Sequence, residues 1–489
     1  MTSDLSHMIN FTSITLSDPF INKNNLQTTI TLTTLEGQQK KFTLMHSYPC
    51  TLETQDRTLL RLACCMPLLN YALFSKTIQL DFPLSQTDLN LLNRLNTIFS
   101  RDIYVNKILR RRTNYILPEY LPPTDTTSKD RQVSPARIMA KKRCEEYVLS
   151  KNLNSNRCGV LSSGGKESLL TYALLNEIGS DVYPFYINES GGHWRTALPA
   201  YRYHSQTQPH TRRVWSNVDR FYNFMLDNLF FIRKDHRNIQ ADTYPLRLCI
   251  FPFYIFSVLP LFIKYQIGNL LLGSEFDDIQ TQPTYQGIPH YYGIYDQHQD
   301  YDNLMNEWYN HKIPGLVQWS AVRNISGLIV QRILVKRYPH LATHQRSCHS
   351  CHITQNQILP CGHCSKCRGV LLFLLANKDD PTVMSFQSQN AEDFIKQTNP
   401  SLLRLDEDEK THSFYLIQHH TQTKYQPVDH VEQIHHHKQI CDACAIPDQF
   451  RNKLFSLFEQ YTKGYCFLEN DSWKTVEKNI KELDIFLGC

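Results

Sequence analysis

The segment that most constrains this chain is Val160–Ser168, VLSSGGKES. An apolar run ends, two glycines follow, and a helix-forming run begins at once. Glycine lets the backbone approach a ligand closely. The N–H groups at the start of a helix lack intrahelical partners, and with the helix dipole they face an anion favourably. Ser163 and Ser168 add hydroxyl donors and Lys166 adds positive charge. The chemistry is that of a phosphate cradle on a strand–turn–helix unit. A P-loop of the G-x-x-x-x-G-K-[ST] type is excluded, because Gly164 and Gly165 are adjacent and Glu167 follows the lysine.

The flanking sequence repeats this alternation. CGVLSS is strand-like and Lys166 to Ile178 helix-like; DVYPFYINE is a second strand, and NLLLG, ending at Gly273, a third. Strands separated by helices predict an α/β domain with a parallel sheet and crossover helices, assigned to residues 136–380. The run LCIFPFYIFSVLPLFI, Leu248 to Ile263, is too short and too interrupted by proline for a membrane span, so a buried helix is expected. Residues 1–135 read as an α+β domain. It comprises two strands around a glycine turn in ITLTTLEGQQKKFTLMH, helices within Thr58–Phe74 and Leu89–Ile98, and a linker from Pro118 to Pro135. Residues 381–489 are polar and His-rich and read as mainly helical.

The second strong signal is RSCHSCHITQNQILPCGHCSKCR, Arg346 to Arg368. Cysteines at this spacing suit a tetrahedral Zn²⁺, with an iron–sulfur cluster as the alternative. Five cysteines, Cys348, Cys351, Cys361, Cys364 and Cys367, compete for four positions, with His349, His352 and His363 nearby. The total of 15 Cys is odd and clustered, which points to a reducing, cytoplasmic setting. No secretory leader is expected from MTSDLSHMIN. A formal charge of +5, from 51 Lys+Arg against 46 Asp+Glu, does not favour a nucleic-acid partner. The tract Arg110-Arg111-Arg112 reads as a solvated face. His435, His436, His437, Cys441 and Cys444 read as a solvated polar segment, with a second metal site as the alternative.

The loop resembles the PP-loop of the ATP pyrophosphatase superfamily, S-G-G-x-D-S, with Glu167 at the aspartate position. Followed by Ser347-Cys348 and then C-G-x-C-x-x-C at Cys361 to Cys367, it resembles the 7-cyano-7-deazaguanine synthase (QueC) family. Pro245-Leu246-Arg247 before the apolar helix, and Leu270 to Gly273 followed by Asp278, fall in the family's order. The resemblance covers residues 155–378, under half of the chain. The chain departs from the family at Gln282 to Tyr285, where only Pro283 of Y-P-D-C remains, and at Asn324 to Ile329, which lacks the family's lysine and glutamate.

The resemblance implies an AMP-forming enzyme that activates a deazapurine carboxylate with ATP and Mg²⁺ for attack by ammonia, giving an amide and then a nitrile; the flanking regions, which such a core does not need, suggest a protein amine as the other acceptor. QueC-like proteins of antiviral defence are one such setting. It implies Ser163, Gly164, Gly165, Lys166, Glu167 and Ser168 at the nucleotide, Lys166, Arg247 and Asp278 as catalytic residues, and Cys348, Cys361, Cys364 and Cys367 on structural Zn²⁺. The competing readings are a tRNA-modifying PP-loop enzyme and a non-catalytic nucleotide- or zinc-binding scaffold.

Overall fold

The computed structural model of the chain describes residues 5–111, 113–122, 133–149, 152–239, 244–277, 283–397, 400, 403–418 and 424–476. The N-terminal section carries β1 (Phe11–Leu16), β2 (Phe20–Asn22), β3 (Asn25–Thr34), β4 (Gln39–Ser47), α1 (Arg57–Leu69), β5 (Ser75–Leu84) and α2 (Gln86–Ile103). Helix α2 runs into a π-helical turn, Tyr104–Leu109. Then follow β6 (Arg137–Arg143), β7 (Asn154–Leu161), α3 (Lys166–Glu177), β8 (Asp181–Asn188), α4 (Gly192–Thr207), β9 (Arg212–Ser216), α5 (Val218–Asp227), α6 (Phe251–Lys264) and β10 (Ile267–Leu271). After a short hairpin of β11 (Thr284–Tyr285) and β12 (Ile288–Pro289) come α7 (Gln299–Lys312), β13 (Val317–Trp319), α8 (Gly327–Arg337) and α9 (Pro339–Ala342). A hairpin of β14 (His352–Thr354) and β15 (Gln357–Leu359) leads into α10 (Ser365–Ala376). The C-terminal region adds α11 (Ser388–Gln397), α12 (Glu407–Leu416), β16 (Ile434–His436), α13 (Asp448–Phe458), β17 (Tyr465–Glu469) and β18 (Ser472–Val476).

The result is a mixed α/β protein built on a large, mainly parallel sheet in the order β13-β10-β7-β8-β9-β4-β3-β1-β5-β6. Strands β13, β10, β7, β8 and β9 run parallel, as the alternation predicts. The sheet does not stop at residue 135. Strand β6 pairs parallel with β5, and β4 joins β9 antiparallel through His46↔Ser216 and Ser47↔Trp215. The N-terminal strands therefore extend the same sheet instead of forming a separate one.

Helix α6 shows why the 248–263 run is apolar all round. One side packs on α1 and another on β7 and β10, and Phe253, Phe256, Leu259 and Phe262 are at most 1% exposed. Each such side chain contributes roughly 1.5–3 kcal/mol by leaving water. Among the described residues no helix is long and apolar enough to cross a membrane.

Among the described residues the C-terminal region adds to its three helices a small sheet of β16, β17 and β18. One expectation needs correction. His435 and Cys441 are fully buried rather than solvated. The His435 ring stacks on Phe276 at 3.6 Å, and its Nε2 is 3.0 Å from His430 Nδ1. Of the basic tract, Arg110 lies over the rings of Tyr285 and Tyr292, Arg111 donates to the Pro122 carbonyl at 2.8 Å, and Arg112 lies outside the described residues.

Candidate functional site

The Gly-Gly turn lies at the carboxyl end of β7, where open parallel sheets bind ligands. Gly165 caps α3, and Gly164 has φ +73°. A Cβ on Gly164 would sit 3.2 Å from Ala197 Cα and Ala200 Cβ, so both backbone conformation and space require glycine there. Gly273, just after β10, plays the complementary part: a Cβ would come within 2.8 Å of Glu167 Cβ and 2.9 Å of Ser168 N. Ser168 Oγ donates to the Gly165 carbonyl at 3.2 Å and accepts from Ser162 Oγ at 3.2 Å, which turns it back into the loop.

The loop opens onto a cavity of about 640 Å³, bordered by Ser163, Gly165, Lys166, Glu167, Ser168 and Cys348 among the residues singled out in the sequence. Lys166 is not the free cation the sequence suggests. It is 6% exposed and its Nζ donates to Glu167 Oε1 at 2.5 Å and to Glu275 Oε1 at 2.7 Å. Burial opposes its charge, but the two carboxylates outweigh burial and raise its pKa. Burial also works against Glu167, and the Lys166 ammonium overrides it and lowers the pKa. For Glu275 burial prevails and lifts the carboxyl to about 7.

Lys366 is the cation that sequence reasoning passed over. It stands between Cys364 and Cys367, is exposed and borders the cavity, and its charge helps hold Glu167 down.

Arg247 does not border the cavity. It is buried between the rings of Tyr222 and Tyr244, 4.0 and 4.2 Å from their centroids, and both terminal nitrogens reach Asp219 Oδ1 at 3.4 Å. Tyr244 does border it, and its hydroxyl is 2.8 Å from His193 Nε2. Burial, then the charges of Lys366 and Arg247, push His193 down to about 3, so it is neutral at physiological pH. Asp278 lies outside the described residues; its neighbour Asp277 borders the cavity.

The sulfurs of Cys348, Cys361, Cys364 and Cys367 lie within 4.8 Å of one another, and Cys351 is outside the group. This is a set that can hold a metal ion such as zinc. Gly362, at φ +81°, turns the chain between Cys361 and Cys364. Backbone N–H groups of Cys361, Cys364 and Cys367 donate to the Sγ of Cys348, Cys361 and Cys364 at 3.3, 3.4 and 3.5 Å. Such bonds favour the thiolate form a metal requires. Hydrogen bonds from neighbouring thiols, Cys351 first, push Cys348 down to about 3. Among the described residues His435, His436 and His437 complete no second such group with Cys441.

Cysteine group and loop are joined directly. Arg346 N donates to the Gly164 carbonyl at 3.2 Å, and Thr196 Oγ1, beside the turn, donates to the Cys348 carbonyl at 3.2 Å. No protein-family model matches the chain, and no curated protein matches it in sequence.

Proposed function

We propose that the chain is an ATP-dependent, AMP-forming enzyme of the QueC kind that activates a deazapurine carboxylate as an acyl-adenylate. The observation that carries this reading is the meeting of the S-G-G-K-E-S turn with Cys348 of the four-cysteine group on one cavity, tied through Arg346 and Gly164.

ATP would lie with its β,γ end against the N-terminus of α3, where Ser163, Gly165 and Ser168 supply donors and Lys366 supplies charge. Lys166 would act mainly by neutralising Glu167 and Glu275 beneath that end. Donors preset where charge grows on departing pyrophosphate lower the barrier without reorganising. Asp277 is the carboxylate placed to help hold Mg²⁺, which would supply neutralising charge to the phosphates. Arg247 would set the position of Tyr244 and thereby of His193. Cys348, Cys361, Cys364 and Cys367 would hold zinc with four thiolates, a donor set that would give it a structural part.

The acceptor is ammonia or a protein amine. Arg404, Leu405 and Ile440, from the C-terminal region, border the same cavity, so that region contributes to the site where an acceptor would meet the acyl-adenylate.

The test is product analysis. Purified protein incubated with ATP, Mg²⁺ and 7-carboxy-7-deazaguanine should release AMP and pyrophosphate, and mass analysis should find the activated acid as an amide, a nitrile or a protein conjugate. ADP as product would overturn the mechanism. AMP formed only when tRNA is added would move the protein to the tRNA-modifying class.

A further inference from the structure

One group of residues on the cavity wall differs in character from the loop. Phe185, Ile187, Leu248, Phe251 and Tyr254 give the cavity apolar and aromatic walls, and two carboxylates, Glu189 and Asp296, stand among them; Asp296 Oδ2 is already satisfied by the backbone N–H groups of Ile250 and Phe251 at 2.8 and 2.9 Å, which leaves Glu189. Glu189 follows directly on β8, the strand beside β7, so it stands at the same carboxyl edge of the sheet as the phosphate loop. It is 5% exposed. The Tyr254 hydroxyl donates to its Oε1, and among the described residues this is the carboxylate's one hydrogen-bond donor.

The nearest cation does not complete it. Arg247 is engaged with Asp219 and held between Tyr222 and Tyr244, so it reaches Glu189 through its field alone. A carboxylate with several lone pairs and one donor is costly to bury. A fold that keeps one facing an apolar cavity leaves acceptor capacity for a ligand. The complementary ligand is flat, to lie between apolar walls, and presents adjacent N–H donors, as a ring N–H beside an exocyclic amino group does.

We infer that Glu189 is the specificity-determining residue for the substrate ring, accepting the paired N–H donors of a 2-aminopyrimidinone-type edge on a planar heteroaromatic carboxylic acid. This rests on the proposed adenylation reading and adds to it the residue that selects the acid. The ring edge lies on Glu189, and the carboxylate on the opposite side of the ring faces the α-phosphorus. The donor pair is shared with one acidic group, so the recognition is charge-assisted and exceeds what ring shape alone supplies.

The test uses the full-length, zinc-loaded protein and isothermal titration with two acids, 7-carboxy-7-deazaguanine and the same compound without its 2-amino group. The wild-type protein should prefer the amino compound by roughly tenfold to a hundredfold. Glu189→Gln should lower affinity for the amino compound by a similar factor and abolish the preference, with zinc content and ATP affinity unchanged. Equal binding of both acids by the wild-type protein overturns the assignment without any variant having to fold. So does a Glu189→Gln protein that keeps the preference, or one that loses ATP affinity instead. If the wild-type protein binds neither acid, the deazapurine reading and this inference fall together, which separates that failure from one of Glu189 alone.

Discussion

The backbone N–H of Arg346 donates to the carbonyl of Gly164 across 3.2 Å, joining the segment that carries Cys348 to the middle of the Gly-Gly turn. The Arg346 side chain fixes that segment in turn, donating to the carbonyls of Ile358 at 2.7 Å and Gln345 at 2.7 Å. The cysteine group and the Gly-Gly turn are thus neighbours in one hydrogen-bonded structure, although about 180 residues separate them in sequence.

Metal removal should therefore be felt at the loop. Cys364→Ser should reduce bound zinc from about one per chain to none and lower the melting temperature, since metal-binding free energy is part of folding free energy. Among protein that stays folded, ATP affinity should fall roughly fivefold or more, a typical coupling between sites. Metal analysis, thermal melts and nucleotide titration check the three parts.

Lys166 and Ser168 should separate. Lys166→Ala leaves Glu167 and Glu275 together without their cation, and breaking a buried pair in this way costs about 3–5 kcal/mol. Ser168→Ala should weaken ATP binding with a much smaller loss of stability. Denaturant unfolding alongside ATP titration of the two single variants decides this.

Gly164→Ala should cost about 1–2 kcal/mol from the left-handed backbone alone, and more because the new methyl presses on Ala197 and Ala200 of α4. Urea unfolding of the variant measures it, and ATP affinity should fall with it because the turn shifts.

Asp102 gives a pH signature. It is fully buried and accepts from Tyr291 N at 2.6 Å. Burial, only partly offset by such backbone donors, raises its carboxyl to about 7, against roughly 3.9 in an unfolded chain. Between these values the folded state holds the proton and the unfolded state has lost it. This contribution to stability is therefore complete below about pH 4 and is lost as pH rises through about 7. Asp102→Asn removes it. From pH 4 to pH 8 the unfolding free energy of the variant should gain on that of the wild-type protein by on the order of 3 kcal/mol. Denaturant unfolding at several pH values reads the difference, and parallel curves would contradict it.

What was legible in the sequence was local. The Gly-Gly turn, the alternation from CGVLSS through NLLLG, the 248–263 helix and the cysteine spacing each depend on residues a few positions apart, and periodicity and backbone preference report such features. Cys361, Cys364 and Cys367 can meet one ion because Gly362 turns the chain between them. Tertiary structure decided what depends on residues far apart. Only the arrival of Glu275 beside α3 makes Lys166 an internal counter-ion. Only the closure of Tyr222, Tyr244 and Asp219 around Arg247 takes it out of the cavity wall. Glu189 gave no local signal, because its burial comes from α6 and the segments around it. The β4–β9 pairing, which carries one sheet across both halves of the chain, and the buried stack of His435 on Phe276 depend in the same way on distant partners. A side chain's charge and environment are set by whatever packs against it, and a single sequence does not state which distant segment that will be.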